Sequence, residues 1–402
     1  MNYRFNARIT EQATGVVHDV PGFFVGDGNG SGRGKVWRFR YAPSATGTYD
    51  VSVGFEWHSD LATYKCFNVE PLTTPGTHQP APHGHEFSFT AQAKDFGTAA
   101  VGYFASGHLQ DTGSRYLQFQ EGSNNYHLKA GMNSPENWLG YAGFDGTVEY
   151  GDGNNNESKL HTFSNHAEDW ETGDPEWGTG IGSSGIIGAV NWLASGTNGA
   201  CNSIYLMTNT LGGDARDTSP YVYGNGNLNG GFFPPDYNLQ YMWDVSKLEQ
   251  WSDFFEHCQE KGVALHIALA ERETNNSYYH DDPDTWEGLG VSQADSTTGG
   301  FGVMRRLYYK QLFAWFGCFP AIQWTLCEEQ SASGYLGGGE PDDQNEYPLS
   351  AIKEMGEYLR DLDFYGHSIG IYTDLDRLEL LNQLTNASEI VTGKLTHFPY
   401  SR

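Results

Sequence analysis

The feature that most constrains the fold is a regular alternation of short apolar segments and longer amphipathic segments over residues 126–402. The longer segments run for about a dozen residues with apolar side chains at helical spacing, and the shorter ones have the length of buried strands. Such alternation is typical of βα units wound around a parallel sheet. Six strands are predicted, in YHLKAG, CNSIYLMTN, VALHIALAE, AIQWTLCEE, HSIGIYT and IVTGKLT.

Four helices are predicted between these strands, in GIIGAVNWLAS, SKLEQWSDFFEHCQEKG, VMRRLYYKQLFAWFG and SAIKEMGEYLRDLD. The second helix has the clearest start and end. Ser246 and Glu249 have the spacing of a capping box, and Gly262 is typical of a helix C-terminus. Its apolar stripe consists of Leu248, Trp251, Phe254, Phe255 and Cys258.

A parallel sheet with interleaved helices could be an open doubly wound sheet or a (β/α)8 TIM-type barrel. The stretch around the first strand end, KAGMNSPENW, lacks the glycines of a dinucleotide-binding loop, and the chain contains no P-loop motif. Long polar segments follow the strand ends, as in barrel enzymes whose sites lie at that face. The sequence therefore predicts a (β/α)8 barrel over residues 126–402, incomplete at about six strands.

Residues 1–104 have a different pattern, in which apolar and polar residues alternate between clusters of Gly, Pro, Ser and Asn. A period of two with turn signals predicts antiparallel strands with one solvated face, which we interpret as a β-sandwich. Residues 105–125 are predicted to be a linker and hairpin, so the chain is expected to be multidomain. The predicted strands of the sandwich are YRFNARIT, GKVWRFRYA, TGTYDVSVGFEW and HEFSFTAQA.

The charge balance limits the possible partners. Fifty acidic residues against 23 Lys and Arg give a formal net charge of -27, which disfavours nucleic acid and anionic membranes. The sequence contains no run of eighteen apolar residues, so no membrane span is predicted. The polar start MNYRFNARIT has the pattern of a strand and not of a signal peptide. The five cysteines are scattered without a C-x-x-C pair, which argues against a zinc site or a disulfide framework, and no cofactor is expected.

The strongest candidate for catalysis is WTLCEEQ, where two adjacent carboxylates follow the fourth predicted strand. Barrel enzymes hold catalytic groups at this strand end, and many sugar-cleaving barrels place the general acid/base there. Adjacent strand residues point to opposite faces, so only one of Glu328 and Glu329 faces the barrel mouth directly. We favour Glu329 as acid/base, with Trp324 as a substrate contact. The alternative is a pair of loop carboxylates bonded to an Arg or amide.

Other polar residues at predicted strand ends are candidates for substrate binding. Glu271 and Glu273 follow the third strand with the same parity, Asn209 and Asp214 follow the second, and Asn133 follows the first. Asn and Asp are also ordinary turn residues, and the two glutamates could be a solvated strand end.

Isolated histidines and tryptophans carry weaker signals. His127, His166 and His266 each stand alone in the sequence, and such residues are more often hydrogen-bonded core residues than metal ligands. Trp170 and Trp177 could stack on sugar rings or pack a lid. The loop DGNGSG at 27–32 has half of a calcium-binding pattern, but Arg38 stands where the bidentate Glu belongs, so a turn-rich loop is favoured.

The chain resembles a family of bacterial proteins assigned as glycoside hydrolases, which carry a β-sandwich of unknown function ahead of a (β/α)8 barrel. At the fourth strand the family pattern reads roughly Trp-Asn-Leu-Gly-Glu-Glu-Asn. Thr325, Cys327 and Gln330 depart from that pattern, while Glu328 and Glu329 keep it, and Glu271 and Glu273 match a Glu-x-Glu on the third strand. The matching stretches run in family order and are VPGFFVGDGNGSGRGKVWRFRYAPSATGTYD, LKAGMNSPENWLGYAGFDGT, GIIGAVNWLA, DVSKLEQWSDFFEH, LHIALAERETNN and WTLCEEQ.

This resemblance implies a retaining glycoside hydrolase that cleaves O-glycosidic bonds of a polysaccharide, secreted or periplasmic, with a carboxylate nucleophile on a seventh strand. That strand would lie beyond Arg402, so the chain is expected to be a fragment of a longer enzyme. Glu271 or Asp374 could serve as nucleophile only in an unusual mechanism. The alternatives are a non-catalytic carbohydrate-binding protein, an inactive fragment and, less favoured, a polysaccharide lyase.

Overall fold

The structure is a computed structural model, which describes residues 3–57, 78–96, 101–114, 116–122, 125–132, 138–147, 160–178, 181–196, 200–209, 218–222, 242–269, 303–326 and 349–371. Within these ranges the protein is of mixed α/β class. It contains an antiparallel sheet near the N-terminus and a five-stranded parallel sheet further along the chain.

The antiparallel sheet forms from the segments with a period of two. Strands β1 (Tyr3–Glu11), β2 (Val17–Pro21), β5 (Gly47–Trp57) and β6 (Glu86–Ala91) pair in the order β2-β1-β5-β6. A separate pair of two-residue strands joins β3 (Phe23–Phe24) and β4 (Trp37–Arg38). Three of the predicted strands are thus confirmed, but GKVWRFRYA contributes only the two residues of β4. The described part of this region shows one four-stranded antiparallel sheet with an aromatic cluster on one face. The antiparallel strands are thus confirmed, and the two-sheet sandwich stays a prediction.

A short hairpin connects the two sheets along the chain. Strands β7 (Leu109–Gln110) and β8 (Gln118–Phe119) pair antiparallel after a 3-10 turn at Gly102–Ala105. Gly102 has a φ of +52°, and a Cβ there would lie 2.1 Å from the carbonyl oxygen of Gln259. Glycine is therefore required where this turn meets the end of a helix.

The parallel sheet follows the chain strand by strand. Its strands are β9 (Gly131–Met132), β10 (Ser203–Met207), β11 (Ala264–Ala268), β12 (Ile322–Thr325) and β13 (Ser368–Gly370), and every neighbouring pair is parallel. Helices α1 (Ser184–Ala194), α2 (Val245–Glu260), α3 (Val303–Phe316) and α4 (Leu349–Leu362) lie in the four successive connections.

Sheet order and chain order are identical, without the reversal that defines a doubly wound sheet. The predicted βα alternation is confirmed for five strands and four helices. The sixth predicted strand, in residues 390–396, lies outside the described residues, and closure into a barrel stays a prediction.

Helix α2 begins one residue earlier than predicted and with a different cap. Asp244 is the N-cap, and its carboxylate accepts the backbone N–H of Lys247 at 3.1 Å. The predicted capping box is wrong, because Glu249 forms an ion pair with Arg38 at 2.7 Å and Ser246 donates its hydroxyl to Asp145. Both side chains bind residues that are distant in the sequence, so neither takes part in a capping box.

The antiparallel sheet region packs on the helices of the parallel sheet. The ring of Phe23 lies 4.1 Å from that of Trp315 on α3, and the ring of His18 lies 4.7 Å from that of Phe364 after α4. Arg40 donates to the carbonyl oxygen of Trp315 at 2.8 Å and to the hydroxyl of Ser252 on α2. Its guanidinium lies 5.5 Å from the centres of the Phe23 and Trp315 rings. Through these contacts, residues of the predicted N-terminal domain pack directly against helices of the predicted barrel domain.

Two further sequence predictions can be compared with the described residues. None of the helices described is both long and apolar enough to cross a membrane. Cys258 of the predicted apolar stripe is a buried free thiol in the core, and Cys201 and Cys318 are half-buried free thiols packed against the core.

Candidate active site

The parallel sheet has two buried faces that differ in chemistry. Alternate residues point to opposite faces of a strand. One face packs against the helices through Ile204, Leu206, Leu265, Ile267, Ile322, Trp324 and Ile369, which belong to the main apolar core. The other face, here called the interior face, carries Tyr205, Met207, His266, Ala268 and Thr325, all nearly inaccessible to solvent. In a barrel, the interior face would line the space below the substrate-binding mouth.

A polar cluster occupies the interior face, formed by Lys129, Tyr205, His266 and Thr325. The Nζ of Lys129 lies 2.5 Å from Nδ1 of His266, and Nε2 of the same ring lies 2.5 Å from Oγ1 of Thr325. An ammonium group can only donate, so a charged Lys129 requires Nδ1 to accept, and Nε2 then carries the proton that is donated to Thr325. The lysine therefore fixes the tautomer of His266 and links the start of β9 to the third and fourth strands.

Tyr205 holds this cluster from the neighbouring strand. Its ring centre is 4.4 Å from that of His266, and the Nζ of Lys129 lies 5.9 Å from the centre of the tyrosine ring. Burial lowers the pKa of Lys129 to about 8, since desolvation disfavours the ammonium form. The interior polar cluster thus contains a lysine whose pKa lies well below its ordinary value.

Asn209 is located at the carboxyl end of β10, as the sequence predicted. It is 1% exposed and has the parity of Tyr205 and Met207, which lie on the interior face. Thr208, of opposite parity, donates its backbone N–H to Ala268 at 3.0 Å and its hydroxyl lies 2.6 Å from that of Tyr308. The strand end that presents Asn209 is thereby fixed, and a role in substrate binding stays a prediction.

Trp324 does not have the location that a substrate contact needs. Its side chain is fully buried on the helix face, and its indole N–H donates to Oδ2 of Asp363 at 3.1 Å. No ring face is available for a sugar there, so the prediction of a substrate contact is corrected to a packing role. The polar neighbours Gln323 and Thr325 take the opposite parity.

The remaining predicted site residues cannot be compared with the structure. Glu328, Glu329, Glu271, Glu273 and Asn133 all lie outside the described residues, as do Asp214 and Asp374. Their assignments stay predictions.

Three other candidates, Trp170, Trp177 and the 27–32 loop, make structural contacts. The indole of Trp170 donates to the carbonyl oxygen of Pro175 at 3.2 Å, and that of Trp177 donates to Gly143 at 3.0 Å. Both rings pack against the main core, which favours the lid-packing alternative. The carboxylate of Asp27 accepts the backbone N–H groups of Asn29 at 2.8 Å and Ser31 at 3.2 Å, so the 27–32 loop is a turn stabilised by its own aspartate.

Sequence reasoning missed most of the interior polar cluster. The parity of Tyr205, His266 and Thr325 on three successive strands was readable, because parallel neighbours place residues of one face side by side. Lys129 precedes the first strand and gave no comparable signal. The expectation that His266 is a hydrogen-bonded core residue is confirmed by its contacts with Lys129 and Thr325. Among the described residues no cluster of His, Cys, Asp and Glu could hold a metal ion.

Comparisons with known proteins add limited information. Solved structures with similarity to the chain include a candidate glycoside hydrolase from Bacteroides vulgatus ATCC 8482, with 11% identity, TM-score 0.49 and coverage of 92% of this chain and 52% of that one. Another glycoside hydrolase has 15% identity, TM-score 0.26 and coverage of 50% and 49%. An endo-1,4-beta-mannanase from Rhizomucor miehei has 13% identity, TM-score 0.30 and coverage of 66% and 60%.

These similarities are too weak to establish a shared fold, and the chain spans about half the length of the first two structures. No curated protein matches the chain. The first part of the antiparallel region gives a clearer result, since residues 1–56 match a domain of unknown function, DUF5060.

Proposed function

We propose that the protein is a retaining glycoside hydrolase acting on a polysaccharide, with its catalytic centre at the carboxyl ends of the parallel strands. The observation that carries this proposal is the position of β12 as the fourth strand of a parallel sheet wound in chain order. In barrel enzymes the site lies at this end of the strands, and the chain continues from β12 into Glu328 and Glu329.

Strand parity supports Glu329 as the acid/base. Thr325 lies on the interior face, where it contacts His266, and Glu329 is four positions further with the same parity. Glu328 has the parity of Trp324, which points to the helices. Continued alternation past Thr325 would therefore aim Glu329 and not Glu328 at the mouth.

Strand parity gives less support to the glutamates that follow the third strand. Glu271 and Glu273 have the parity of Leu265, Ile267 and Leu269, which pack on the helix face. A role in substrate binding would require the chain to turn after Leu269. Asn209 needs no such turn, since it has the parity of Tyr205 and Met207. We therefore assign hydroxyl recognition to Asn209 first, with Glu271, Glu273 and Asn133 as further candidates.

The chemistry requires two carboxylates about 5–5.5 Å apart. Glu329 would protonate the leaving oxygen, and the second carboxylate would attack the anomeric carbon and form a glycosyl-enzyme intermediate. Water, activated by Glu329, would then release the sugar with retained configuration. A raised pKa is needed for the acid, and the like charge of Glu328 next to it acts in that direction. By resemblance, the nucleophile is expected on a seventh strand.

The test is Glu329→Gln in the full-length protein, with Glu328→Gln as the matched control. Reducing-sugar release from a panel of polysaccharides should fall by at least a thousandfold in Glu329→Gln and by less than tenfold in Glu328→Gln. Urea unfolding midpoints should agree with the wild type for both variants. Unchanged sugar release by Glu329→Gln, in a correctly folded protein, would overturn the assignment.

The products distinguish the alternatives. Retention of the anomeric configuration in the first product, observed by NMR, supports the two-carboxylate mechanism. Ultraviolet absorbance from an unsaturated sugar would instead indicate a lyase. Binding of a polysaccharide without product release would indicate a non-catalytic carbohydrate-binding protein.

A further inference from the structure

A large cavity lies between the antiparallel sheet and helix α3. Its volume is about 1100 Å³, at the upper end of the range for small-molecule sites. One wall comes from β1, β3, β4 and β5 together with residues 78–82, and the opposite wall comes from α3 and residues 242–245. The lining includes Tyr3, Phe24, Trp37, Phe55, Trp57, Trp243 and Trp315.

The sheet wall presents aromatic rings that are both accessible and fixed. Tyr3 is 46% exposed and Trp57 is 42% exposed. The Tyr3 ring stacks on Phe55 with centres 5.6 Å apart and an interplanar angle of 13°. Trp37 packs against Phe55 at 5.4 Å, edge to face. Flat apolar faces held in this way suit the apolar face of a pyranose ring, since they cost little conformational entropy on binding.

Few of the described lining residues have a charged or amide side chain, and none of them is acidic. Apart from the hydroxyl of Tyr3 and the indole N–H groups, the polar side chains among the described lining residues are Lys35, His78 and Gln311. This contrasts with a chain that has 50 acidic residues and a net charge of -27. A few hydrogen-bonding groups among aromatic surfaces is the usual composition of a site for a polyhydroxylated ligand.

The backbone around the cavity is held in place by pairing. Trp57 and His78 exchange two backbone hydrogen bonds, at 2.8 and 3.1 Å, which place the His78 segment beside β5. The β3–β4 pair is extended by the bond from the N–H of Val25 to the carbonyl oxygen of Val36, at 3.0 Å. The aromatic wall is therefore present before a ligand arrives.

The cavity lies on the helix side of the parallel sheet, and Val222, Met242 and Trp243 line it from the connection that follows β10. Leu307, Gln311 and Trp315 line it from α3, whereas the interior polar cluster lies on the far side of the parallel sheet. We propose that this cavity, called the aromatic cavity, is an accessory site that binds a segment of the polysaccharide chain. The inference rests on the proposed function for the class of ligand, but it assigns binding to a different part of the molecule.

The experiment is affinity electrophoresis of the full-length protein in gels that contain β-glucan, xylan, mannan, agarose or alginate. Trp57→Ala removes one exposed ring, and Gln311→Trp fills the cavity from the opposite wall while leaving the aromatic rings in place. Tyr126→Ala is the matched control, because Tyr126 is 54% exposed and does not line the cavity. Urea unfolding midpoints verify that each variant is folded.

At least one polysaccharide should retard the wild type, Glu329→Gln and Tyr126→Ala alike. Trp57→Ala and Gln311→Trp should bind that polysaccharide at least tenfold more weakly, while hydrolysis of a short soluble substrate is unchanged. The inference is overturned if no gel retards the wild type, or if both cavity variants are retarded like Tyr126→Ala. Because Glu329→Gln retains the cavity, loss of its hydrolysis reports on the proposed function and retardation reports on the aromatic cavity.

Discussion

The two faces of the parallel sheet use the same strands for different purposes. On β12, Trp324 packs against the helices while Thr325, its immediate neighbour, contacts His266 on the interior face. The helix face gains stability from buried apolar area, at about 25 cal/mol per Å². The interior face holds a half-buried lysine beside a buried histidine and a buried threonine, which is costly unless each group is paired. Strand parity thus separates the apolar residues that pack against the helices from the polar residues of the interior face.

The polar contact between Trp324 and Asp363 shows how such a group is tolerated on the helix face. Asp363 accepts the indole N–H of Trp324 and also contacts Nδ1 of His367, at 3.0 Å from Oδ2. The Nε2 atom of His367 in turn lies 3.2 Å from Nδ1 of His108. This network ties β12 and β13 to β7, so its polar atoms have partners although water is excluded.

Trp324→Ala is the largest test of the comparison. The change removes a fully buried ring from the helix face and takes the indole partner from Asp363. A loss of about 3–5 kcal/mol in the free energy of unfolding is expected, as for other large-to-small core changes. Urea unfolding measures it, and Trp57→Ala, at a 42% exposed position, is the control. Equal effects at the two positions would contradict the packing role.

His266→Leu tests the interior face. The variant fills similar space but leaves the ammonium of Lys129 and the hydroxyl of Thr325 without the histidine, at an expected cost of about 1–3 kcal/mol. The double variant Lys129→Met/His266→Leu should recover part of that loss, because both ends of the contact become apolar. If the double variant loses the sum of the two single losses, measured in urea, the groups are not coupled.

The pH dependence of stability tests the polar contact of the helix face. Burial, followed by the charge of His367, lowers the pKa of His108 to about 3, well below the ordinary value of 6.5. The unfolded chain then binds a proton that the folded protein does not, so stability falls as the pH falls from about 6.5 towards 3. His108→Gln should flatten the dependence by about 1.4 kcal/mol per pH unit. Parallel curves for variant and wild type would show that His108 is not the group involved.

The smallest effect is expected from a contact that is neither apolar nor buried. Arg38 and Glu249 form their ion pair at 2.7 Å with side chains 39% and 22% exposed. A double-mutant cycle with alanine at both positions should give a coupling of about 0.2–1 kcal/mol, decreasing at high salt. A coupling as large as that of Lys129 and His266 would mean that burial does not separate the two kinds of polar contact.

The regular elements were predictable because local pattern and tertiary packing agree. The stripe that predicted the helix in 246–262 is the stripe that α2 buries, at Leu248, Trp251 and Phe254. The cap was not predictable, since Glu249 is taken by Arg38, which is 211 residues away in the chain. No local motif contains that contact.

The candidate site was predictable only in part. The alternation of apolar Ile322, Trp324 and Leu326 with Gln323 and Thr325 already indicates that Trp324 faces the helices. The position of Asn209 followed from the strand end. Lys129 could not be placed from sequence, because its long side chain crosses to a strand that is not adjacent to its own in the sheet.

Arg40 limits how freely the N-terminal β region could be replaced by another domain. Its guanidinium bridges Ser252 and Trp315, on two different helices, while it covers the ring of Phe23. An accessory domain joined only by a linker can be replaced without disturbing its neighbour. The N-terminal β region differs, because its side chains pack directly on α2 and α3. A recombinant in which another β domain took the place of residues 1–96 would remove the contacts that Arg40 and Phe23 make with Trp315, so the two parts cannot be exchanged independently without a cost in stability.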